Sequence, residues 1–299
     1  MVHVATLISN PAAPALDEPT LRRAAQALPQ PAEPVWLAPG IAADIPFGAT
    51  VVDAAAATER VRSALARAPI DVCVQPAHGR RKKLFVADMD STLIGQECID
   101  ELADFVGMKA HVAAITEQAM RGEIAFEPAL RERVALLRGL PATVIAQVIA
   151  ERITLTPGGP TLLATMRLHG AYACLVSGGF TAFTDTIAAR IGFDEARANH
   201  LEVEDGRLTG TVRPPIVGRE AKLAALIELR TQRGLEHTDT LAVGDGANDL
   251  AMLLDAGLGV AFHAKPKVAA AARTRIDFGD LTALLYLQGY RRDEFRDGA

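Results

Sequence analysis

The strongest constraint in this chain is a set of short apolar runs that stop abruptly in polar loops: LFVAD at 84–88, AYACLVSGG at 171–179, TLAVGDG at 240–246 and LGVAF at 258–262. A strand with one wet face alternates apolar with polar residues. These runs are apolar almost throughout, as strands covered on both faces are. With helix-period segments between them they predict an α/β fold built on a Rossmann-like parallel sheet. The first three runs end in Asp, Ser or Gly. In open α/β sheets ligands bind beyond the carboxyl ends of the strands, so the three loops are expected to converge on one site.

The spacing of the runs adds a second element. Asp88 and Ser177 are 89 positions apart, whereas a simple βαβ crossover needs about 30 residues. Apolar positions recur at helical period in Cys98–Val106, Val112–Met120, Phe126–Leu137 and Val144–Ile153, with breaks at Gly107, Gly122 and Gly139-Leu140-Pro141. This pattern predicts a helical cap inserted at about 95–155. Further on, His200–Val212 alternates around Asp205-Gly206, the signal of a β-hairpin.

Residues 1–80 read as a separate small α+β domain. A strand at His3–Ile8 leads to a helix over Leu21–Leu28, with Asp17 suited to cap it. Extended pieces at Val35–Leu37 and Ile45–Val52, a helix over Ala54–Ala68 and a strand at Ile70–Val74 complete a βαββαβ order. That order is the ferredoxin-like split pattern. The run Arg80-Arg81-Lys82-Lys83 then reads as a solvated basic linker. On this reading residues 81–299 form the second domain and fold without the first.

Charge excludes some partners. Thirty-one basic against 36 acidic residues leave a net charge of −5, which gives no electrostatic footprint for nucleic acid or for an anionic membrane surface. Any phosphate must be gripped locally. No run approaches the roughly 20 apolar residues of a bilayer span. The start of the chain lacks the basic region of a signal peptide, its first arginine being Arg22. The expectation is a cytoplasmic protein with no nucleic-acid or membrane partner. Cys73, Cys98 and Cys174 are too widely spaced for CxxC pairs and read as reduced thiols.

The chemistry lies in four places. Asp88-Met89-Asp90-Ser91-Thr92 follows the first buried run, and two carboxylates two positions apart can share one side of an extended chain. Asp followed by Ser and Thr is also an ordinary helix N-cap. Ser177-Gly178-Gly179 offers a hydroxyl and unobstructed N–H groups to a phosphate, though the same tripeptide is a common turn. Lys222, near the start of a helix over Glu220–Arg230, would alone be a surface lysine. Gly244-Asp245-Gly246-Ala247-Asn248-Asp249 combines two carboxylates and an amide in a Gly-rich loop, an oxygen-rich set suited to Mg²⁺. Each has a plain structural alternative. All four in order, each at a strand end or helix start, argue for a site.

Read together, DMDST, SGG, Lys222 and GDGAND resemble the motifs of the haloacid dehalogenase-like hydrolase superfamily over about residues 84–285. Within it the chain is similar to the phosphoserine phosphatase branch. The similarity rests on DMDSTLIGQE, on Met120-Arg121-Gly122 followed by Phe126 and Leu130-Arg131-Glu132-Arg133-Val134, and on GDGANDLAMLLDAGLGVAFHAKP. Residues 1–80 carry none of those motifs and resemble the amino-acid-binding regulatory domains of ACT type.

The resemblance implies Mg²⁺-dependent hydrolysis of O-phospho-L-serine, the last step of serine biosynthesis, through an aspartyl-phosphate. Asp88 would be the nucleophile and Asp90 the acid and base. Asp88, the backbone carbonyl of Asp90, and Asp245 would hold the metal. Ser177, Gly178, Lys222 and Asn248 would bind the phosphoryl group, with Asp249 orienting Lys222. Glu97 and Arg133 would read the substrate's ammonium and carboxylate, and Met120 and Phe126 would wall the pocket. Cys98 is expected in the cap core and His263 in a structural role. A homodimer is compatible with this pattern. A phosphotransferase or phosphatase of the same fold acting on another small metabolite, such as phosphohomoserine, fits the same motifs, whereas intact Asp88, Asp90, Lys222 and Asp245 argue against a sensing module without turnover.

Overall fold

Two aspartates start the helices of the N-terminal part. In the computed structural model, which describes residues 2–48 and 53–298, Asp17 accepts the Thr20 N–H at the head of α1 (Glu18–Gln26). Asp53 accepts from Ala55 and Ala56 at the head of α2 (Ala54–Ala64). Such caps satisfy N–H groups that a first helical turn leaves unpaired. The strands β1 (Val2–Ser9), β2 (Val35–Ala38), β3 (Ala42–Gly48) and β4 (Ile70–Pro76) form an antiparallel sheet in the order β2-β3-β1-β4. The expected βαββαβ order is observed. Of the extended piece expected at Ile45–Val52, positions 49–52 lie outside the described residues.

The second sheet begins with β5 (Leu84–Ala87). Four helices follow, α3 (Cys98–Asp104), α4 (Lys109–Met120), α5 (Phe126–Ala135) and α6 (Thr143–Glu151), which are the expected cap. The chain continues through α7 (Gly159–Leu168), β6 (Tyr172–Phe180), α8 (Thr181–Ile191) and the hairpin β7 (Glu195–Glu204) and β8 (Arg207–Arg213). Then come α9 (Arg219–Gln232), β9 (Thr240–Gly244), α10 (Leu250–Asp255), β10 (Leu258–Phe262), α11 (Pro266–Ala271), β11 (Thr274–Ile276) and α12 (Ala283–Leu287). The sheet order is β11-β10-β9-β5-β6-β7-β8, with only β8 antiparallel to its neighbour.

Side-chain alternation explains why the central strands are apolar throughout. Phe85, Ala87, Leu175 and Val243 point into one core, with Leu162, Phe183 and Leu284. Leu84, Val86, Val176 and Ala242 point into another, with Leu226 and Met252. Both faces are dry, so neither parity of position can be polar. From β5 the chain proceeds to β6 on one side and later returns to β9 on the other. This reversal opens a crevice at the carboxyl end of β5, where Asp88 follows.

The N-terminal sheet also has two buried faces. Ala5, Leu7, Ile45 and Val72 pack on Leu21 and Val61 of its own helices. From the other face Ile8, Ala42 and Cys73 join the main core with Leu287 and Tyr290. Here the structure corrects the reading of a solvated basic linker. Arg80 donates to the Leu287 and Tyr286 carbonyls at the end of α12 and pairs with Asp44, while Lys82 donates to the Gly79 and Thr238 carbonyls. The last carbonyls of a helix lack partners within it, and a guanidinium supplies them. Asp71 likewise accepts the N–H groups of Asp277, Phe278 and Gly279. Only Arg81 and Lys83 of the basic run are exposed.

Candidate active site

The loop that follows β5 is fixed by backbone bonds. Asp88 N–H donates to the Val243 carbonyl, extending the pairing of β5 with β9 by one residue. The chain then turns sharply, with Leu93 and Ile94 N–H groups both on the Met89 carbonyl and Ser91 at a left-handed φ of 55°. Asp90 faces the pocket and accepts the Cys98 N–H at 3.3 Å. Burial pushes both carboxyl groups up to about 7, with Asp249 adding to the rise of Asp88 and Asp88 to that of Asp90.

Lys222 is no surface residue. It is fully buried in the first turns of α9, its Nζ 2.6 Å from Asp88 Oδ1 and 2.6 Å from Asp249 Oδ1. Burial alone would lower its affinity for a proton, but Asp249 and Asp88 outweigh it and raise the ammonium above its ordinary value. The other oxygen of Asp249 accepts the Gly246 N–H at 3.0 Å. Asp249 therefore orients the lysine and does not cap α10, at whose start it stands.

Asp245 follows β9 and is 2 % exposed. Oxygens of Asp88, Asp245 and Asp249 lie within 4.8 Å of one another. Burial, then Glu97, Asp249 and Asp88, push the Asp245 carboxyl well up, the sign of a carboxylate that wants a cation. The Thr92 hydroxyl donates to its carboxylate at 3.3 Å. With both oxygens of Asp249 engaged, Asp88 and Asp245 are the carboxylates left for a hard divalent ion, and the donor set fits one.

The serine loop closes the third side. Ser177 is fully buried, and its Oγ accepts the Gly179 N–H at 2.9 Å. Both glycines are dictated by close approach. A Cβ on Gly178 would lie 2.7 Å from the Phe126 ring, and one on Gly179 would lie 2.7 Å from Asp90 Oδ2. Asn248 lines the pocket opposite, its Oδ1 buried without a hydrogen-bond partner.

The cap is seated on this floor. Met120 carbonyl accepts the Ala247 N–H at 2.9 Å, and Lys265 reaches Glu117 at 2.7 Å. Arg133 is 2 % exposed, with Nε on the Ala129 carbonyl and Nη1 on Thr116, which donates in turn to Asp100. Glu97, whose carboxylate accepts the Ser91 hydroxyl at 2.7 Å, is pushed up to about 8 by burial and then by Asp90. Asp88, Asp90, Glu97, Met120, Phe126, Arg133, Gly178 and Asn248 thus line one cavity. Ser177, Lys222, Asp245 and Asp249 lie buried around its base. Cys98 packs in the core and contributes only its N–H, and His263 Nε2 bonds the Gly279 carbonyl.

Three groups here escaped the sequence reading. Thr116 and Asp100 buttress Arg133, and only the helical phase of the cap, once known, puts them beside it. Asn199 stands one residue before the hairpin expected at His200–Val212, yet its amide bridges Gly178 and Val217.

The sequence profile of the haloacid dehalogenase-like hydrolases matches residues 85–254. The chain belongs to this family. A phosphoserine phosphatase of Streptomyces coelicolor is 47% identical over 243 residues, 79% of this chain and 59% of that protein, so the match spans under two thirds of the relative's length. A solved phosphoserine phosphatase with a phospho-aspartyl intermediate analogue is 41% identical, with a TM-score of 0.66 over 69% of this chain and 98% of its own. The unliganded probable phosphoserine phosphatase of Vibrio cholerae superimposes over 98% of this chain and 88% of its own, at a TM-score of 0.73 and 32% identity. Its match therefore takes in the N-terminal sheet as well. Among the described residues no helix is long and apolar enough to cross a membrane.

Proposed function

We propose that this chain hydrolyses O-phospho-L-serine to L-serine and phosphate, using Mg²⁺ and an aspartyl-phosphate on Asp88. The observation that carries the reading is one cavity with a phosphoryl-transfer floor and an amino-acid-reading roof. Asp88 and Asp90 lie below, Glu97 and Arg133 above. The names of the relatives support the same assignment.

The phosphoryl group would rest against Ser177, the Gly178 N–H, Asn248 and the Lys222 ammonium, whose positive charge faces the charge that develops on the transferring oxygens. An Asp88 oxygen attacks phosphorus and the bond to the seryl oxygen breaks. Asp90 gives that oxygen its proton, which a carboxyl group held near 7 by burial can do at neutral pH. In the second step Asp90 takes a proton from water as the water displaces Asp88, and phosphate leaves. Asp88, Asp245 and the Asp90 carbonyl would hold the metal. When bound, Mg²⁺ offsets the clustered carboxylates and polarises the phosphoryl oxygens.

Arg133 has five N–H donors, of which two are spent on Ala129 and Thr116. The remaining fork suits the substrate carboxylate, and Glu97 suits its ammonium. Phe126 over Gly178 excludes water from the closed pocket. Three buried free cysteines suit a reducing compartment, so we place the enzyme in the cytoplasm, supplying L-serine at the end of its biosynthesis. The test is phosphate release from a panel of phosphorylated amino acids and sugars, with Mg²⁺ or EDTA, and with added alcohols as rival acceptors. Phosphoserine should lead the panel, with water as acceptor. A preference for a phosphosugar, or phosphate passed mainly to alcohol, contradicts the assignment.

A further inference from the structure

We propose that Asn199 is a positioning residue that locks the serine loop to the helix bearing Lys222, setting the phosphoryl-binding groups in register. The inference rests on the phosphatase reading of the site and extends it to a residue that touches no substrate.

The need for such a residue follows from strand register. β6 and β7 pair as Cys174 with Glu195, Leu175 with Ala196 and Val176 with Arg197, and then resume at Phe180 with Asn199. Between those points β6 has Ser177, Gly178 and Gly179 where β7 has only Ala198. The serine loop is a bulge that aims Ser177 into the site and leaves the ladder. Backbone groups that leave a ladder in a buried place need other partners.

Asn199, 1 % exposed, supplies them. Its Nδ2 donates to the Gly178 carbonyl at 2.9 Å. That carbonyl shares a rigid peptide plane with the Gly179 N–H, which donates to Ser177 Oγ at 2.9 Å. Fixing one end of the plane aims the other. With the Ser177 oxygen already accepting, its hydroxyl proton is left to donate to a phosphoryl oxygen.

The same amide reaches the other wall. Asn199 Oδ1 accepts the Val217 N–H at 2.7 Å, and Nδ2 donates to the Val217 carbonyl at 3.2 Å. Val217 leads into Gly218, whose carbonyl takes the Lys222 N–H at 3.0 Å in the first turn of α9. One carboxamide thus spends both donors and an acceptor to join Ser177 to Lys222. Aspartate would set oxygen against two carbonyls, and alanine would sever the link.

The experiment compares full-length wild type with Asn199→Ala and Asn199→Asp. It measures hydrolysis of phosphoserine and of an aryl phosphate, inhibition by inorganic phosphate and by L-serine, and the melting midpoint. Misplacing catalytic groups by about 1 Å costs on the order of 100-fold. We expect kcat to fall about 10- to 100-fold on both substrates and phosphate inhibition to weaken, while L-serine, read by Glu97 and Arg133, inhibits within about threefold of wild type. Unchanged kcat and phosphate inhibition per folded molecule overturn the proposal. So does parallel loss of L-serine and phosphate binding, or recovery of both variants only as unfolded protein, since each makes Asn199 a general structural residue. Wild type that cleaves the aryl phosphate but ignores phosphoserine and L-serine sinks the substrate reading instead, and the aryl and phosphate arms still decide the role of Asn199.

Discussion

Replacing Arg133 by alanine should separate amino-acid recognition from phosphoryl transfer. The guanidinium is buried in the cap and lines the same cavity as Asp90, yet its own bonds run to Ala129 and Thr116 and to none of the phosphoryl-binding groups. Removing one partner of a buried charged pair costs about 2 to 5 kcal/mol. At about 1.36 kcal/mol per tenfold, kcat/KM for phosphoserine should fall roughly 30-fold to a few thousand-fold. An aryl phosphate has no carboxylate for Arg133, so its hydrolysis should stay within about threefold, a change of under 1 kcal/mol. Glu97→Gln should show the same split, through the ammonium. The assay is phosphate release from both substrates by each variant, with thermal melting to confirm the fold. A folded Arg133→Ala that loses both activities equally would refute the division of labour between cap and floor.

Other outcomes follow from the same geometry. Chelation should abolish turnover, and Mg²⁺ but not Ca²⁺ should restore it, because Ca²⁺ tolerates more ligands and looser geometry; full activity in excess EDTA removes Asp245 from its role. All three thiols are buried, and burial pushes Cys73 up, Cys98 well up and Cys174 to about 12. The native enzyme should therefore resist iodoacetamide near pH 8, and rapid alkylation with loss of activity would contradict that burial. Residues 81–299 expressed alone should not give a stable enzyme. Deleting residues 1–80 strips the cover from Leu287 and Tyr290, at about 1.5 to 3 kcal/mol per side chain, and takes away the Arg80 bonds to the end of α12, a loss that rivals the low end of the roughly 5 to 15 kcal/mol that holds a domain together. A soluble truncation with a cooperative melt and native kcat defeats this.

The central sheet was legible because burial on both faces leaves an unbroken apolar run, and Phe85 and Val86 point into different cores of one strand. The cap was legible from helical period and its glycine breaks. The convergence of Asp88, Ser177 and Asp245 followed from a rule about strand ends. What escaped depended on partners distant in sequence. Arg80 looks like a solvated charge until the end of α12, some 200 residues later, is placed beside it. Asn199 is ordinary until the bulge in β6 takes away the ladder it replaces. Lys222 was recognisable by resemblance alone, since its burial between two aspartates is a property of the assembled site.

The most direct test of the account is to trap the phosphoenzyme. Wild type mixed with Mg²⁺ and phosphorus-labelled O-phospho-L-serine, then quenched in acid, should carry one acid-stable, base-labile phosphoryl group, and mass spectrometry of the digest should place it on Asp88. Asp88→Asn should carry none and turn nothing over, while Asp90→Asn should still be labelled but react about 10² to 10⁴ times more slowly. Label on any residue other than Asp88, or an Asp88→Asn enzyme that hydrolyses phosphoserine at the wild-type rate, would contradict it.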